Sequence, residues 1–335
     1  MRVVRTHTHT RAHTHARAHT HTHPRHMTYP HCVYDAHKQP QRATKTVASM
    51  AVRVEDVAAH YDAVVSATRG IAHDAPRISV LNNWAKASLI REAVRAMRPP
   101  RVAPYALLDL AGGRGGDIGK WAHVPLRSYT LLDAAPEAVA EARSRAARLP
   151  SGIPFLGLVG DARTPCAAGA SGPYDIVSCQ FALNYLAPRG ARLTALFETW
   201  DALLAPGAAI VLTYANWDAL AEARTGGGTG APFRVTHPGW DAGGTAPAPT
   251  SIAPRPTSYV FSLPPAVSHL REYALSPDDV EAAVPRGWRT VSTYRALTDI
   301  PRNELWGEIA GSGGRPPRDA YLLARVYAGM VFVRE

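Results

Sequence analysis

Apolar and polar positions settle into element-length patterns only from Val54 onward. Residues 105–110 form a short apolar run that ends in a Gly-rich turn, Ala111-Gly112-Gly113-Arg114-Gly115-Gly116, ahead of a helix. A second strand over 129–132 ends at Asp133, and Pro136 then opens a helix in its first turn, where its missing N–H is not needed. Further strands follow over 155–159, ending before Asp161, and over 174–179 and 209–214, with a helix over 192–204 between the last two. Two closing strands are predicted over 288–294 and 327–333. Strands alternating with helices are the pattern of a parallel sheet with crossover helices, so the core is expected to be doubly wound α/β. Ser276-Pro277-Asp278-Asp279 predicts a helix start: a serine N-cap, a proline at the first position, and acids near the positive end of the helix dipole.

A helix over 83–97 carries Ile90, Ala93, Val94 and Met97 on one stripe. Lys86 lies four residues before Ile90 and seven before Ala93, so a charged group sits on the face that should turn inward. Burying an ammonium requires an anionic partner. The alternative is a lysine at the helix start that lays its stem on apolar surface and sends its charge to water.

At 335 residues the chain has room for one large domain or two small ones. With 46% hydrophobic and 19% charged residues it is not disordered throughout, and it holds no run of ~18 apolar residues to span a bilayer. The N-terminus also lacks the apolar stretch of a secretory signal. Cys32, Cys166 and Cys179 stand singly, which predicts a reducing compartment and no structural metal. The net charge of +10 suggests an anionic partner, but residues 1–50 hold eight basic residues against Asp35 alone, which leaves +3 for the rest. Those first 50 residues read as a disordered His/Thr-rich basic arm, since ten of the 15 histidines lie by position 37 among residues with little to bury. A metal-binding His tract is the chemical alternative, and Met27 and Met50 are candidate starts. Residues 51–335 read as the folded domain, with a flexible Gly/Pro/Thr/Ala-rich insertion at about 225–257 and a flexible stretch at 311–314. Only four lysines stand beside 33 arginines, and the two in the body, Lys86 and Lys120, attract notice.

A Gly-rich turn between a first strand and helix lets a ligand approach the backbone, and an acid after strand two accepts from both hydroxyls of a ribose. Asp133 falls 20 residues past Gly113, the right distance. The nicotinamide pattern G-x-G-x-x-G is out of register, because the residue three after Gly115 is Ile118. The short Asp-x-Gly-x-Gly form used for S-adenosylmethionine fits better through Asp109-Leu110-Ala111-Gly112-Gly113, with alanine in the first glycine slot. The turn therefore points to an adenosine-containing ligand, the alternative being a purely structural turn.

Longer stretches carry a family likeness: Val57-Ala58-Ala59-His60-Tyr61-Asp62; Asn82-Asn83-Trp84-Ala85-Lys86; Asp109 through Asp117 followed by Lys120-Trp121; and Tyr174 through Tyr185 with its Ser178-Cys179-Gln180-Phe181. Tyr259-x-Phe261-x-Leu263, Glu272-Tyr273 and the closing Val326-Tyr327 to Phe332 continue it. Over residues 54–335 the chain resembles the messenger-RNA cap guanine-N7 methyltransferases of eukaryotes and large DNA viruses. The resemblance implies a class I S-adenosylmethionine-dependent methyltransferase, a Rossmann-like fold with a seven-stranded, mostly parallel sheet and helices on both faces. It implies methyl transfer from S-adenosylmethionine to N7 of the GpppN cap guanine.

For the donor, the resemblance places Lys86 on the carboxylate, Asp109, Ala111 and Gly113 along the methionine part with Asp117 nearby, Asp133 on the ribose, and Asp161 near the adenine amine, with Gln180 and Tyr185 closing the pocket. For the guanine it implies aromatic surface from Phe181 and Tyr185, Glu272 accepting from the N1 and N2 hydrogens, and Asn82, Asn184 and Tyr327 framing the base. Four positions depart from the family: Asn184 stands where it usually has His, Asp62 where it has Asn, Ala111 where it has the first Gly, and Ala215 where it has Pro. Guanine N7 already carries a lone pair, so no general base is nominated and catalysis reduces to proximity, orientation and electrostatics.

Two alternatives share the fold: a class I methyltransferase acting on another substrate, and a non-catalytic regulatory subunit of a capping complex. A general RNA-binding module is disfavoured by the near-neutral body. None of the four lysines opens a Lys-x-Asp-Gly guanylyltransferase motif, so the chain is expected to receive its capped RNA end from another protein. The resemblance further implies a monomer without membrane attachment, with a capping enzyme or activating subunit as possible partner. Its compartment would be the nucleus, or a cytoplasmic factory or virion for a viral chain.

Overall fold

The continuous apolar runs become the centre of a seven-stranded sheet. The computed structural model describes residues 51–68, 80–97, 103–147, 149, 152–225, 232–236, 255–264, 266–306 and 316–335. The expectations for the 1–50 arm, for most of the 225–257 insertion and for 311–314 lie outside the described residues. The strands among the described residues are β1 (Tyr105–Leu110), β2 (Leu126–Asp133), β3 (Phe155–Val159), β4 (Tyr174–Gln180), β5 (Leu204–Ala215), β6 (Arg234–Thr236), β7 (Ser258–Leu263), β8 (Val267–Tyr273), β9 (Trp288–Tyr294) and β10 (Tyr327–Arg334). The helices are α1 (Val54–Thr68), α2 (Val80–Ala96), α3 (Ile118–Trp121), α4 (Pro136–Ala146), α5 (Leu183–Leu186), α6 (Ala191–Asp201), α7 (Trp217–Thr225), α8 (Pro277–Ala283) and α9 (Arg318–Arg325). None is long and apolar enough to cross a membrane.

The sheet order is β3-β2-β1-β4-β5-β10-β9, with β1 through β5 parallel and β10 antiparallel to both neighbours. Strands β1 and β4 are buried at every position, as expected for central parallel strands covered on both faces. The edge strand β3 leaves Leu156 and Val159 exposed. Right-handed crossovers running outward in opposite directions from β1 and β4 place α4 and α6 on opposite faces. The order reverses between β1 and β4, and a crevice opens at the carboxyl ends of these strands, where ligands of such sheets bind.

Several predicted boundaries move. Helix α6 ends at Asp201, three residues before the expected end, because β5 already begins at Leu204 and passes through Gly207 at φ 75°. Helix α2 starts at Val80, and its buried face runs through Leu81, Trp84, Ala85, Ser88, Leu89 and Ala93, so Val94 lies at the margin of the stripe. The helix start at Ser276 forms a full capping box: its Oγ accepts from the Asp279 N–H, and its own N–H donates to Asp279.

A second, antiparallel sheet in the order β6-β7-β8 was not among the predicted elements. Its alternation is nevertheless visible in Tyr259 and Phe261 of β7, both fully buried. This sheet carries Glu272 toward α5.

Candidate functional site

The carboxyl ends of β1, β2 and β4 frame a cavity of about 230 Å³. Its wall includes Lys86 of α2, Ala111, Gly113 and Asp117 of the Gly-rich turn, Asp133 at the end of β2, and Gln180, Phe181 and Tyr185 after β4. These eight predicted residues are therefore brought together. Sequence reasoning gave no role to α1, yet its Val54, Val57, Ala58 and Tyr61 also line the cavity. Their spacing of three, four and seven residues puts them on one helical face, a signal present in the sequence.

The turn folds as it does because its backbone must pass close to other groups. Gly113 adopts φ +53°, and its N–H donates to Asp133 Oδ2 at 2.7 Å, so turn and acid hold each other in place. Gly115 adopts φ +70°, and a Cβ there would come within 2.5 Å of Ile118. Arg114 clamps the turn to α4 through a two-pronged pair with Glu141 at 2.6 and 2.8 Å. Asp62, one of the departures, accepts from the Glu137 N–H at 3.0 Å, so its charge caps the first turn of α4 and ties α1 to it.

Ala111 does occupy a left-handed position, with φ +53°. An L-residue there costs roughly 1 kcal/mol or more relative to glycine. Ala111→Gly is therefore expected to raise stability by about 1 kcal/mol, a rise in Tm of roughly 1–2 °C for a chain of this size. Thermal unfolding of the two proteins checks this, and an unchanged or lower Tm contradicts it.

Lys86 is a largely buried, paired lysine and does not snorkel. Its side chain is 12% exposed, its Nζ lies 2.6 Å from Asp117 Oδ1, and it sits 5.3 Å over the Phe181 ring. Lys120 Nζ meets the same Asp117 oxygen at 2.7 Å. Burial opposes charge on Asp117, but the two ammonium groups outweigh it and hold the carboxyl down at about 2. Asp109 lies behind the turn, outside the cavity wall, accepting from the Tyr129 hydroxyl at 2.7 Å. Burial, reinforced by the Asp117 charge, pushes it up to about 7. Asp133 accepts from Gly113 and, at 2.9 Å, from the Ala135 N–H, and burial raises its pKa. With Ala134 as a third backbone donor, the Asp133 carboxylate keeps acceptor capacity for one further hydrogen bond. Asp161 does not line the cavity: Arg163 holds it at 2.7 Å, and its neighbour Ala162 forms the wall instead.

Phe181 adopts φ +58°, an outlier for an aromatic residue that costs about 1–3 kcal/mol and is typical of functional positions. Its N–H is fixed by the Thr213 carbonyl at 2.7 Å, and its ring meets Tyr327 edge-on at 4.7 Å. The Gln180 amide is held by Ser178, Thr213 and the Val211 carbonyl.

Behind Tyr185 lies a second cluster. Glu272 is 4% exposed and accepts from the Tyr185 hydroxyl at 2.8 Å and from that of Tyr259. Burial pushes its carboxyl up to about 7, against the pull of both hydroxyls. Tyr61 hydrogen-bonds Tyr185, which links α1 to the cluster, and burial raises its own hydroxyl to about 12. Tyr327 is buried beside Phe181. Asn82, one turn before Lys86 on α2, has a buried Oδ1 with no hydrogen-bond partner.

Asn184 departs from its expected role in framing a base. Its amide donates to the carbonyls of Ala215 and Tyr273, both at 3.0 Å, and accepts from the Ala215 N–H at 2.8 Å. Both of its hydrogens are thus engaged by backbone, and the side chain braces β5 against the end of β8. Two of the departures meet here, since a proline at 215 would have no N–H to give Asn184.

The fold and this crevice define a Rossmann-like class I methyltransferase. A family model described as the mRNA (guanine-N(7))-methyltransferase domain matches residues 45–225, more than half of the chain. The chain belongs to that family. It is 31% identical over 170 residues to mRNA cap guanine-N(7) methyltransferase 1 of Arabidopsis thaliana, covering 47% of this chain and 44% of that protein. Identity is 28% over 189 residues to the mRNA cap guanine-N(7) methyltransferase of Caenorhabditis elegans, covering 52% and 49%. It is 24% over 246 residues to that of Schizosaccharomyces pombe, covering 69% and 64%. The chain thus spans about half the length of the first two of these curated relatives.

Proposed function

We propose that this chain binds S-adenosylmethionine in the cavity and methylates N7 of the guanine of a GpppN-capped RNA end. The residues present suit such a donor. Lys86 and Asp117 offer opposite charges to an amino acid's carboxylate and ammonium, Asp133 keeps acceptor capacity for a ribose hydroxyl, and Ala134, Ala162 and Ala182 give apolar surface for a base. S-adenosylmethionine supplies a methyl group already activated on a sulfonium.

The observation that carries the guanine reading is Glu272: a buried carboxylate with no cation beside it among the described residues, behind the aromatic wall of Phe181 and Tyr185. A carboxylate facing a purine edge matches the paired N1 and N2 hydrogens of guanine, and adenine has no such pair. The side chains perform no proton transfer. Phe181, Tyr185 and Tyr327 stack and orient the base, Glu272 fixes its edge, and α1 closes over the donor to exclude water. Asn184 acts in this reading as a brace that keeps Glu272 in register with the cavity.

Residues 51–335 carry the site, and the basic 1–50 arm adds salt-sensitive, nonspecific RNA affinity. The capped end comes from another protein, and the compartment that fits is the one where transcripts are capped. Transfer of labelled methyl from S-adenosylmethionine to GpppA or GpppG tests the reading, and label at N7 is expected. Donor binding without transfer would favour a regulatory subunit, and transfer only to other acceptors would favour a different methyltransferase.

A further inference from the structure

Asp117 takes the N-cap position of α3, yet its carboxylate caps no backbone N–H. It turns instead to two lysines that share its Oδ1, Lys86 at 2.6 Å and Lys120 at 2.7 Å, with all three side chains 11–13% exposed. The two lysines face different spaces. Lys86 and Asp117 line the cavity, whereas Lys120 lines a neighbouring cleft with Arg91, Arg95 and His123, and no acid is among that cleft's described lining residues. The acid beside that cleft, Glu304, is taken up by Arg91 and Arg95, so the ion pair of Lys120 is with Asp117, and its other hydrogen bond goes to the Gly116 carbonyl at 3.3 Å.

Resting on the donor reading above, we infer that Lys120 is a positioning residue for the cavity: it neutralises Asp117 from behind and so frees the Lys86 ammonium for the carboxylate of an amino-acid-bearing ligand. With both lysines the triad carries one net positive charge, so an ammonium is left over for the ligand's carboxylate, while both lysine bonds are to Asp117 Oδ1 and leave Oδ2 to meet the ligand's ammonium. Without Lys120 it is neutral, and Asp117 competes with the ligand for Lys86 in a site where charges are poorly screened. Repulsion between the two ammonium groups adds to the same effect, because it favours Lys86 moving toward a new anion in the cavity. Loss of Lys120 should therefore penalise ligands in proportion to their amino-acid tail and not to their nucleoside.

Calorimetric titration of the full chain with S-adenosylhomocysteine, and with 5′-methylthioadenosine, which keeps the nucleoside but lacks the tail, separates these contributions. Lys120→Met is expected to weaken S-adenosylhomocysteine about 10-fold or more and to leave 5′-methylthioadenosine within about 2-fold. Lys120→Arg, which keeps the charge, should restore most of the loss. An equal loss for both ligands would mark a merely structural residue, and an undiminished S-adenosylhomocysteine affinity would equally overturn the inference. If the unaltered chain binds neither compound, the donor reading itself fails and this inference falls with it.

Discussion

Glu272→Gln is expected to lower kcat/KM for a capped dinucleotide by about 100-fold or more, roughly 3 kcal/mol, as follows when a buried site that pairs with a polar edge is left mismatched. The substitution keeps the shape of the side chain, so the contacts with Tyr185 and Tyr259 lose little packing. What it changes is polarity: an amide presents one acceptor and one donor group where guanine N1 and N2 both donate, and a site built to pair with two hydrogens discriminates strongly against such a mismatch. Binding of S-adenosylhomocysteine should stay within about 2-fold, because Glu272 is not part of the donor cavity wall. Steady-state kinetics with varied GpppA, beside calorimetry with S-adenosylhomocysteine, reads both. Unimpaired methylation by the variant would remove Glu272 from the guanine site.

The same variant has a pH signature. Burial holds the Glu272 carboxyl at about 7, so the ionised form that accepts from guanine gains population as pH rises from 6 to 8, and KM for the capped substrate should fall over that range in the native chain only. Stability runs the other way. A carboxyl whose folded pKa lies above its ordinary value contributes stability that is full below about 4.5 and is lost as pH rises through about 7, on the order of 3 kcal/mol by pH 8. Asp109, also raised to about 7, adds a loss of the same sign but is present in both proteins, so the difference between them isolates Glu272. Asp117, held at about 2, loses its contribution only as pH falls toward that value, outside this window. Glu272→Gln should therefore gain stability relative to the native chain as pH rises from 5 to 8.

How much of this was readable in the sequence follows from how local each feature is. The strands of the main sheet were legible because strands buried on both faces leave unbroken apolar runs, and Asp133 was legible because one strand-helix-strand unit fixes its distance from Gly113. Lys86 announced its need for an anion by lying on an apolar helical stripe, but the pattern did not reveal that Asp117 meets that need. The Asn184 brace depends on backbone 31 and 89 residues away, and no local spacing encodes it. Glu272 is the extreme case: a lone acid on a short strand reads as a surface residue, and only the fold and the family likeness bring it beside Tyr185. The lining face of α1 was different, since its spacing was present and only its destination was missing.

Lys86→Met is expected to weaken S-adenosylhomocysteine by about 100-fold, a larger loss than for Lys120→Met, because it removes the cation that lines the cavity and not the one behind it. The fold should survive, since Asp117 keeps its bond to Lys120 and is not left as an unpaired buried charge. Methionine also retains an apolar stem against the Phe181 ring, so the wall of the cavity keeps its shape. A ligand carboxylate would then meet Asp117 with no free ammonium between them, whereas 5′-methylthioadenosine, with no carboxylate, should bind as before. The two lysine variants therefore form a graded pair: both spare the tail-less nucleoside, and they differ in how far they penalise the amino acid. Equal losses in the two variants would mean that the lysines act as one indivisible structural unit, and a larger loss for Lys120→Met would place the ligand's carboxylate on the wrong side of Asp117.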